Sequence, residues 1–329
     1  MNTKTPALGK KLVMRGLYPA TITPFAEDFS IDYAALEQHL SETANVDGVE
    51  GLVVNAGLAE LLQLTLDEQI KVLEVTKRVR RTGQLIVTGL EGQTVETLLS
   101  NALALKQAGA EAFLVFPPFD IRAYRRLLAD PKSVASVFKV LDEKVDLPMI
   151  VFQYPPHSGS SYPLETLREL VKIPNVVAIK AASGQLPAYT EVWDNLKDAA
   201  SVLVAVDSPP LLDMLLHGSH GALIGISAIA PAKWVELLEL VDSKQIAQAR
   251  SLFEKVCMPI MESVFENQMP KRLTSEAAAT KEALVQLGQI PSSRARLPAV
   301  NVSPEVAQEI KISLVKAGLL GAEQKTKVA

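Results

Sequence analysis

The chain of 329 residues contains a single cysteine, Cys257. That count excludes an internal disulfide framework and points to a reducing compartment. A basic surplus is also missing: 33 Lys and Arg stand against 37 Asp and Glu, a net charge of −4. No nucleic-acid partner is therefore expected, and a small anionic substrate needs a local site to hold it rather than a global field. No apolar run approaches the roughly 18 residues of a membrane span. The first 14 residues carry lysines but no signal-peptide core, so no membrane partner is expected and a cytoplasmic location is the default. The phosphate-binding glycine fingerprint of dinucleotide folds is absent after the first apolar run, which continues Thr23-Pro24-Phe25. His217 and His220 flank Gly218 without a carboxylate or cysteine at ligand spacing. Neither a metal nor any other cofactor is expected.

The length suits one large α/β barrel or two smaller domains. Short apolar, β-branched runs recur at 18–23, 51–55, 85–88, 112–116, 149–153, 176–180, 202–207 and 222–227. They are continuous rather than alternating, as parallel strands covered on both faces require. Helix signals lie between them. Asp32 and Thr94 are N-cap types, Thr65-Leu66-Asp67-Glu68 is a capping box, and Gly109 is a stop. Eight strand–helix units predict a (β/α)8 TIM barrel, with a doubly wound open sheet as the alternative. After residue 241 the strand signal ends and helical patterns follow at 244–266, 275–287 and 304–317. Ser303-Pro304 opens the last helix and Gly318 closes it. The predicted organisation is an N-terminal extension (1–15), a barrel (16–241), a C-terminal helical domain (242–320) and a polar tail (321–329). Cys257 falls in a helical stretch and reads as packing.

Reacting groups of such barrels lie at the C-terminal ends of the strands. That rule selects 55–60, 116–119, 152–161, 180–183, Asp207 and 225–227. Lys180 closes the run Val176-Val177-Ala178-Ile179 and precedes Ala181-Ala182. An apolar setting penalises the ammonium and favours a neutral amine able to attack a carbonyl. The alternative is a lysine that reaches past the strand end to a carboxylate or to water.

Several segments resemble the dihydrodipicolinate synthase/N-acetylneuraminate lyase family. They are Ala20-Thr21-Ile22-Thr23-Pro24-Phe25, Pro155-Pro156-His157-Ser158-Gly159, the lysine segment Val176 to Gly184, Gly218-Ser219-His220-Gly221, and the helical tail from Leu284 to Leu320 with Arg296-Leu297-Pro298. The resemblance implies a barrel with a C-terminal helical domain, assembled as a homotetramer or dimer. It also implies a lyase in which Lys180 forms a Schiff base with a 2-oxo acid. Aldol cleavage, condensation or dehydration would follow from the imine.

The chain departs from the family at its site. The family's glycine, hydroxyl-pair, glycine, glutamate motif falls on Ala56-Gly57-Leu58-Ala59-Glu60. The N–H groups of Gly57 and Leu58 remain to hold a carboxylate, and Glu60 reads as an acceptor for loop N–H groups or as a base. Phe152 occupies the place of the catalytic tyrosine, and Phe119 that of a second tyrosine. A phenyl ring moves no proton. Tyr154, two residues on and on the same side of the strand, is the substitute phenol, or else it packs. His157 replaces a substrate-binding arginine. Ser158, Ser183 and Gly225 complete the expected substrate contacts, and Asp207 orients a loop or lines the pocket. These departures make a true dihydrodipicolinate synthase unexpected. The alternatives are an impaired member that binds or senses a 2-oxo acid and, more distantly, a nucleotide-dependent α/β enzyme.

Overall fold

A computed structural model describes residues 12–117, 129–265 and 275–321. Phe119 and most of both terminal extensions lie outside the described residues. Eight parallel strands run as β1 (Gly16–Leu17), β2 (Gly51–Val54), β3 (Leu85–Leu90), β4 (Ala112–Val115), β5 (Met149–Gln153), β6 (Val176–Ala181), β7 (Ser201–Val204) and β8 (Gly221–Ala222). Their order is β1-β8-β7-β6-β5-β4-β3-β2. Bridges from Leu17 to Val49 and from Ala20 to Val53 join β1 to β2, so the sheet closes into a barrel. The open-sheet alternative is thereby excluded.

β1 and β8 are shorter than their apolar runs. Pro19 offers no N–H, and the chain beyond Leu17 bonds alternately to each neighbour: Tyr18 N–H to Ala222 O at 2.9 Å, Thr21 N–H to Val53 O at 2.9 Å. The run at 222–227 leaves the sheet early because the chain curls into a 3₁₀ turn at Ile226–Ala228.

Helices α1 (Tyr33–Ala44), α2 (Leu66–Val79), α3 (Val95–Ala108), α4 (Pro131–Lys144), α5 (Leu164–Leu170), α6 (Leu186–Leu196), α7 (Leu211–His217) and α8 (Pro231–Asp242) follow the strands in turn. The ends marked in the sequence are found in α1, α2 and α3. The Asp32 carboxylate accepts from Ala35 N–H, Thr65 and Glu68 form a reciprocal capping box, and Gly109 ends α3 at φ +115°. After the barrel come the C-terminal helices α9 (Ile246–Leu252), α10 (Met258–Val264), α11 (Glu276–Gln286) and α12 (Pro304–Lys316). A π-helical turn at Phe253–Cys257 joins α9 to α10 just before Pro259, whose ring cannot donate to the regular ladder. Cys257 is fully buried there, and burial pushes its thiol up to about 12, so it is packing and not a nucleophile. No helix among the described residues is long and apolar enough to cross a membrane.

Two apolar layers hold the fold together. One fills the barrel with side chains such as Val53, Val87, Leu114, Ile150, Ala178 and Leu203, topped by Phe152. The other lies between strands and helices. At about 25 cal/mol per Å² of apolar surface removed from water, these layers supply most of the driving force for folding. His39, on the inner face of α1, is 2 % exposed and its Nε2 has no partner among the described residues. Burial drops its pKa to about 4. The unfolded imidazole takes up a proton near its usual value of about 6.5, so stability is full above that value and is lost as pH falls toward 4. Acidifying from pH 7 to pH 5 should cost about 2 kcal/mol through this group. Urea denaturation at both pH values should show the loss, and His39→Phe should remove it.

Candidate active site

The β6 run ends with Lys180 at the mouth of the barrel, paired in register with Phe152 of β5 and Leu203 of β7. Its Nζ lies 3.9 Å from the centre of the Phe152 ring. Burial lowers the Lys180 pKa to about 8, opposed by the negative charge of Asp207 and then of Glu276. The ring face also favours the ammonium, but burial prevails. A sizeable neutral fraction near physiological pH is what a nucleophilic amine needs.

Lys180 opens into a chamber of about 500 Å³. Gly57 and Leu58 form one wall, followed by Tyr154, His157 and Ser158, then Asp207, Gly225 and Glu276. The 56–60 loop is bent by left-handed residues at both ends, Asn55 at φ +50° and Glu60 at φ +58°. Asn55 spans outward to Gln69 O and Thr88 Oγ1, each at 3.1 Å, and the Thr23 hydroxyl donates to Ala59 O. The N–H groups of Gly57 and Leu58 have no backbone acceptor among the described residues. They are available to an anion in the chamber. Gly225 keeps the adjoining wall open: a Cβ there would stand 3.2 Å from Phe265, 3.4 Å from the Leu58 side chain and 3.5 Å from Asp207 Oδ2.

Tyr154 stacks on Phe152 with ring centres 4.2 Å apart and lines the same chamber as Lys180. His157 is exposed on the 3₁₀ turn Pro156–Ser158. The Ser158 hydroxyl accepts from Ser160 N–H at 3.0 Å, and Ser161 is tied to Gln153. The serines of this loop are thus partly engaged in shaping it.

Ser183 corrects the expectation that it contacts substrate in this chamber. It is 2 % exposed and lines a separate cavity with Gln153 and Tyr162. Lys180 and Ala182 share a side, and the alternation of the strand sends Ser183 to the other.

Glu60 is a structural acceptor, but its partners come from the C-terminal segment after the barrel. Its carboxylate pairs with Lys281 of α11 and accepts from Arg296 N–H at 2.9 Å. Lys281 is fully buried and also donates to Arg294 O, while Arg296 binds Glu68, Gln63 O and Phe29 O. The 56–60 loop is therefore clamped from behind by helix α11 and the 294–296 strap.

Asp207 does both things open to it in the sequence. Its Oδ1 accepts from Ile226 N–H at 2.8 Å, and it lines the chamber. Burial raises its pKa, opposed by Ile226 N–H and Lys180. Glu276, the first residue of α11, is the site residue that sequence reasoning missed. Its side chain is solvent-exposed at the mouth of the cavity, with protein packed around it. Desolvation by the surrounding protein pushes its carboxyl up to about 7, with Asp207 adding to the rise and Lys180 opposing it. Glu276, Tyr154 and Gly57 also line a second chamber of about 630 Å³, walled by Leu61, Leu62, Phe116 and Pro298. Among the described residues no group of three or more metal-ligating side chains occurs.

The model of the dihydrodipicolinate synthetase family matches residues 13–317. The chain belongs to this family. Its members are class I lyases, and this chain is an enzyme of that type. The 4-hydroxy-tetrahydrodipicolinate synthase of Syntrophus aciditrophicus is 30% identical over 310 residues, covering 94% of this chain and 100% of that protein. The fold is shared with dihydrodipicolinate synthase from Acinetobacter baumannii, solved with pyruvate (TM-score 0.82, 24% identity, 94% and 100% of the two chains). It is also shared with N-acetylneuraminate lyase from Fusobacterium nucleatum (TM-score 0.78, 18% identity, 92% and 98%).

Proposed function

We propose that the protein is a Schiff-base lyase for a 2-oxo acid, with Lys180 as the nucleophile and an activity other than dihydrodipicolinate synthesis. One observation carries the reading: an amine of lowered pKa shares a chamber with the unengaged N–H groups of Gly57 and Leu58. The N–H groups take the carboxylate, and Nζ attacks the adjacent carbonyl carbon. The resulting carbinolamine loses water to give the imine, which then serves as electron sink for a bond broken one carbon further on.

Tyr154 is the phenol that gives a proton to the departing water. It replaces the hydroxyl missing from Phe152, whose ring instead packs beneath the lysine. Phe152 and His157, standing where the family has a tyrosine and an arginine, support a second substrate different from that of the synthases. His157 and Ser158 at the rim and Gly225 in the wall are its contacts.

The test is borohydride trapping with pyruvate and longer 2-oxo acids, followed by peptide mass mapping. Reduction should leave one adduct, on Lys180. Tyr154→Phe should slow trapping by about 10²-fold, the loss expected of a missing general acid. No adduct with any 2-oxo acid would sink the reading. Trapping without efficient turnover would instead favour an impaired family member that binds or senses a 2-oxo acid, a reading to which the Phe152 substitution also lends support.

A further inference from the structure

An imine at Lys180 is useful only if a proton can leave or join the carbon beside it, and Phe152 cannot do this. The other groups of the inner chamber that exchange protons are Tyr154, His157, Asp207 and Glu276. They are not equivalent. Asp207 is held as an acceptor by Ile226 N–H, with the Lys180 charge against it. His157 sits exposed on its turn at the rim. Tyr154 lies flat on Phe152. Glu276 reaches the cavity from helix α11, and its interactions among the described residues are electrostatic, with Asp207 and Lys180.

Its position also matters. A 2-oxo acid with its carboxylate on Gly57 and Leu58 and its carbonyl carbon at Lys180 stands beside the opening to the second chamber. Glu276, Tyr154 and Gly57 form the neck between the two chambers. Farther out, the carboxylates of Glu60 and Glu91 face the second chamber, Glu60 already paired with Lys281.

We propose that Glu276 is the general base and acid that takes the proton from carbon 3 of the Lys180-bound 2-oxo acid and returns it. The proposal rests on the Schiff-base reading. For pyruvate, the Glu276 carboxylate removes one methyl proton from the iminium. The C–H pair becomes the new C=C bond, and the C=N pair moves to nitrogen. The products are a neutral enamine and a Glu276 carboxylic acid. Returning the proton reverses each step, so no oxidant or further reactant is needed. A carboxyl raised by its surroundings toward neutrality is suited to both directions.

The experiment follows hydrogen–deuterium exchange at the pyruvate methyl in D₂O by NMR, alongside borohydride trapping on the same samples. In the unmodified protein, exchange per Lys180 adduct should rise with pH through about 7 as the carboxyl ionises. Glu276→Gln should keep the Lys180 adduct but slow exchange by about 10²-fold or more and remove that pH limb. Glu276→Asp should restore part of the rate, and unchanged melting of both variants separates chemistry from folding. Exchange that survives Glu276→Gln, with its pH limb intact, overturns the proposal. So does exchange abolished by Tyr154→Phe at full adduct formation while Glu276→Gln stays active. If the unmodified protein forms no adduct with any 2-oxo acid, the Schiff-base reading falls and takes this inference with it.

Discussion

Lys180→Met should abolish borohydride trapping and lower turnover of a trapped 2-oxo acid by at least about 10⁴-fold, while the barrel stays folded. The loss is large because every later step depends on the imine, and no other amine lines the inner chamber among the described residues. Folding should survive because the ammonium is itself held at a cost. Its surroundings are Phe152, Ala182 and Ala205, and burial already lowers its pKa to about 8. Methionine has similar length and packs on an aromatic face. Asp207 would lose a favourable charge but keep its Ile226 N–H. In the unmodified protein the neutral amine is the reactive form, so adduct formation should rise about tenfold from pH 7 to pH 9, as a pKa of about 8 requires. A flat profile over that range, or an adduct that persists in Lys180→Met, would remove the lysine from its role.

How far the sequence foretold this site differs from residue to residue. The barrel was legible because each strand is covered on both faces, which leaves an unbroken apolar run with caps on either side. Lys180 was legible for the same reason, as a charge at the end of such a run. Ser183 was misplaced although strand parity already put it opposite Lys180 and Ala182. The early ends of β1 and β8 were hidden because the first depends on hydrogen bonds shared between two neighbouring strands and the second on the local turn at Ile226–Ala228. Glu276 was invisible for a different reason. After Ser275 it reads as an ordinary acidic residue in the first turn of a helix, and only the docking of α11 against the barrel brings it to Lys180. Lys281 likewise looks like a solvent-facing charge in an alanine-rich helix. Yet Ala277, Ala278, Ala279, Thr280, Ala283 and Leu284 are all buried with it, so the helix has little free face.

That buried lysine sets a large stability effect. Lys281 is 0 % exposed and Glu60 is 5 % exposed, and they are 221 residues apart in sequence. Burial lowers the Lys281 pKa to about 8, with Glu60 opposing the shift. Phe25 lies 4.1 Å from the ammonium and adds a cation–π contact. Lys281→Met would leave the Glu60 carboxylate in the interior with Arg296 N–H as its remaining hydrogen-bond donor. Removing one partner of a buried pair costs about 3–5 kcal/mol, chiefly because the other charge is stranded. The denaturant midpoint should fall accordingly. The double variant Glu60→Leu/Lys281→Met should recover most of the loss, since both desolvated charges leave together. It should not recover substrate binding. Glu60 closes the 56–60 loop at φ +58°, and leucine tolerates that conformation poorly and offers Arg296 nothing to bind. Restored stability with KM for the 2-oxo acid still raised would assign the pair to positioning the Gly57 and Leu58 donors. Restored stability with unchanged KM would confine it to holding helix α11 on the barrel.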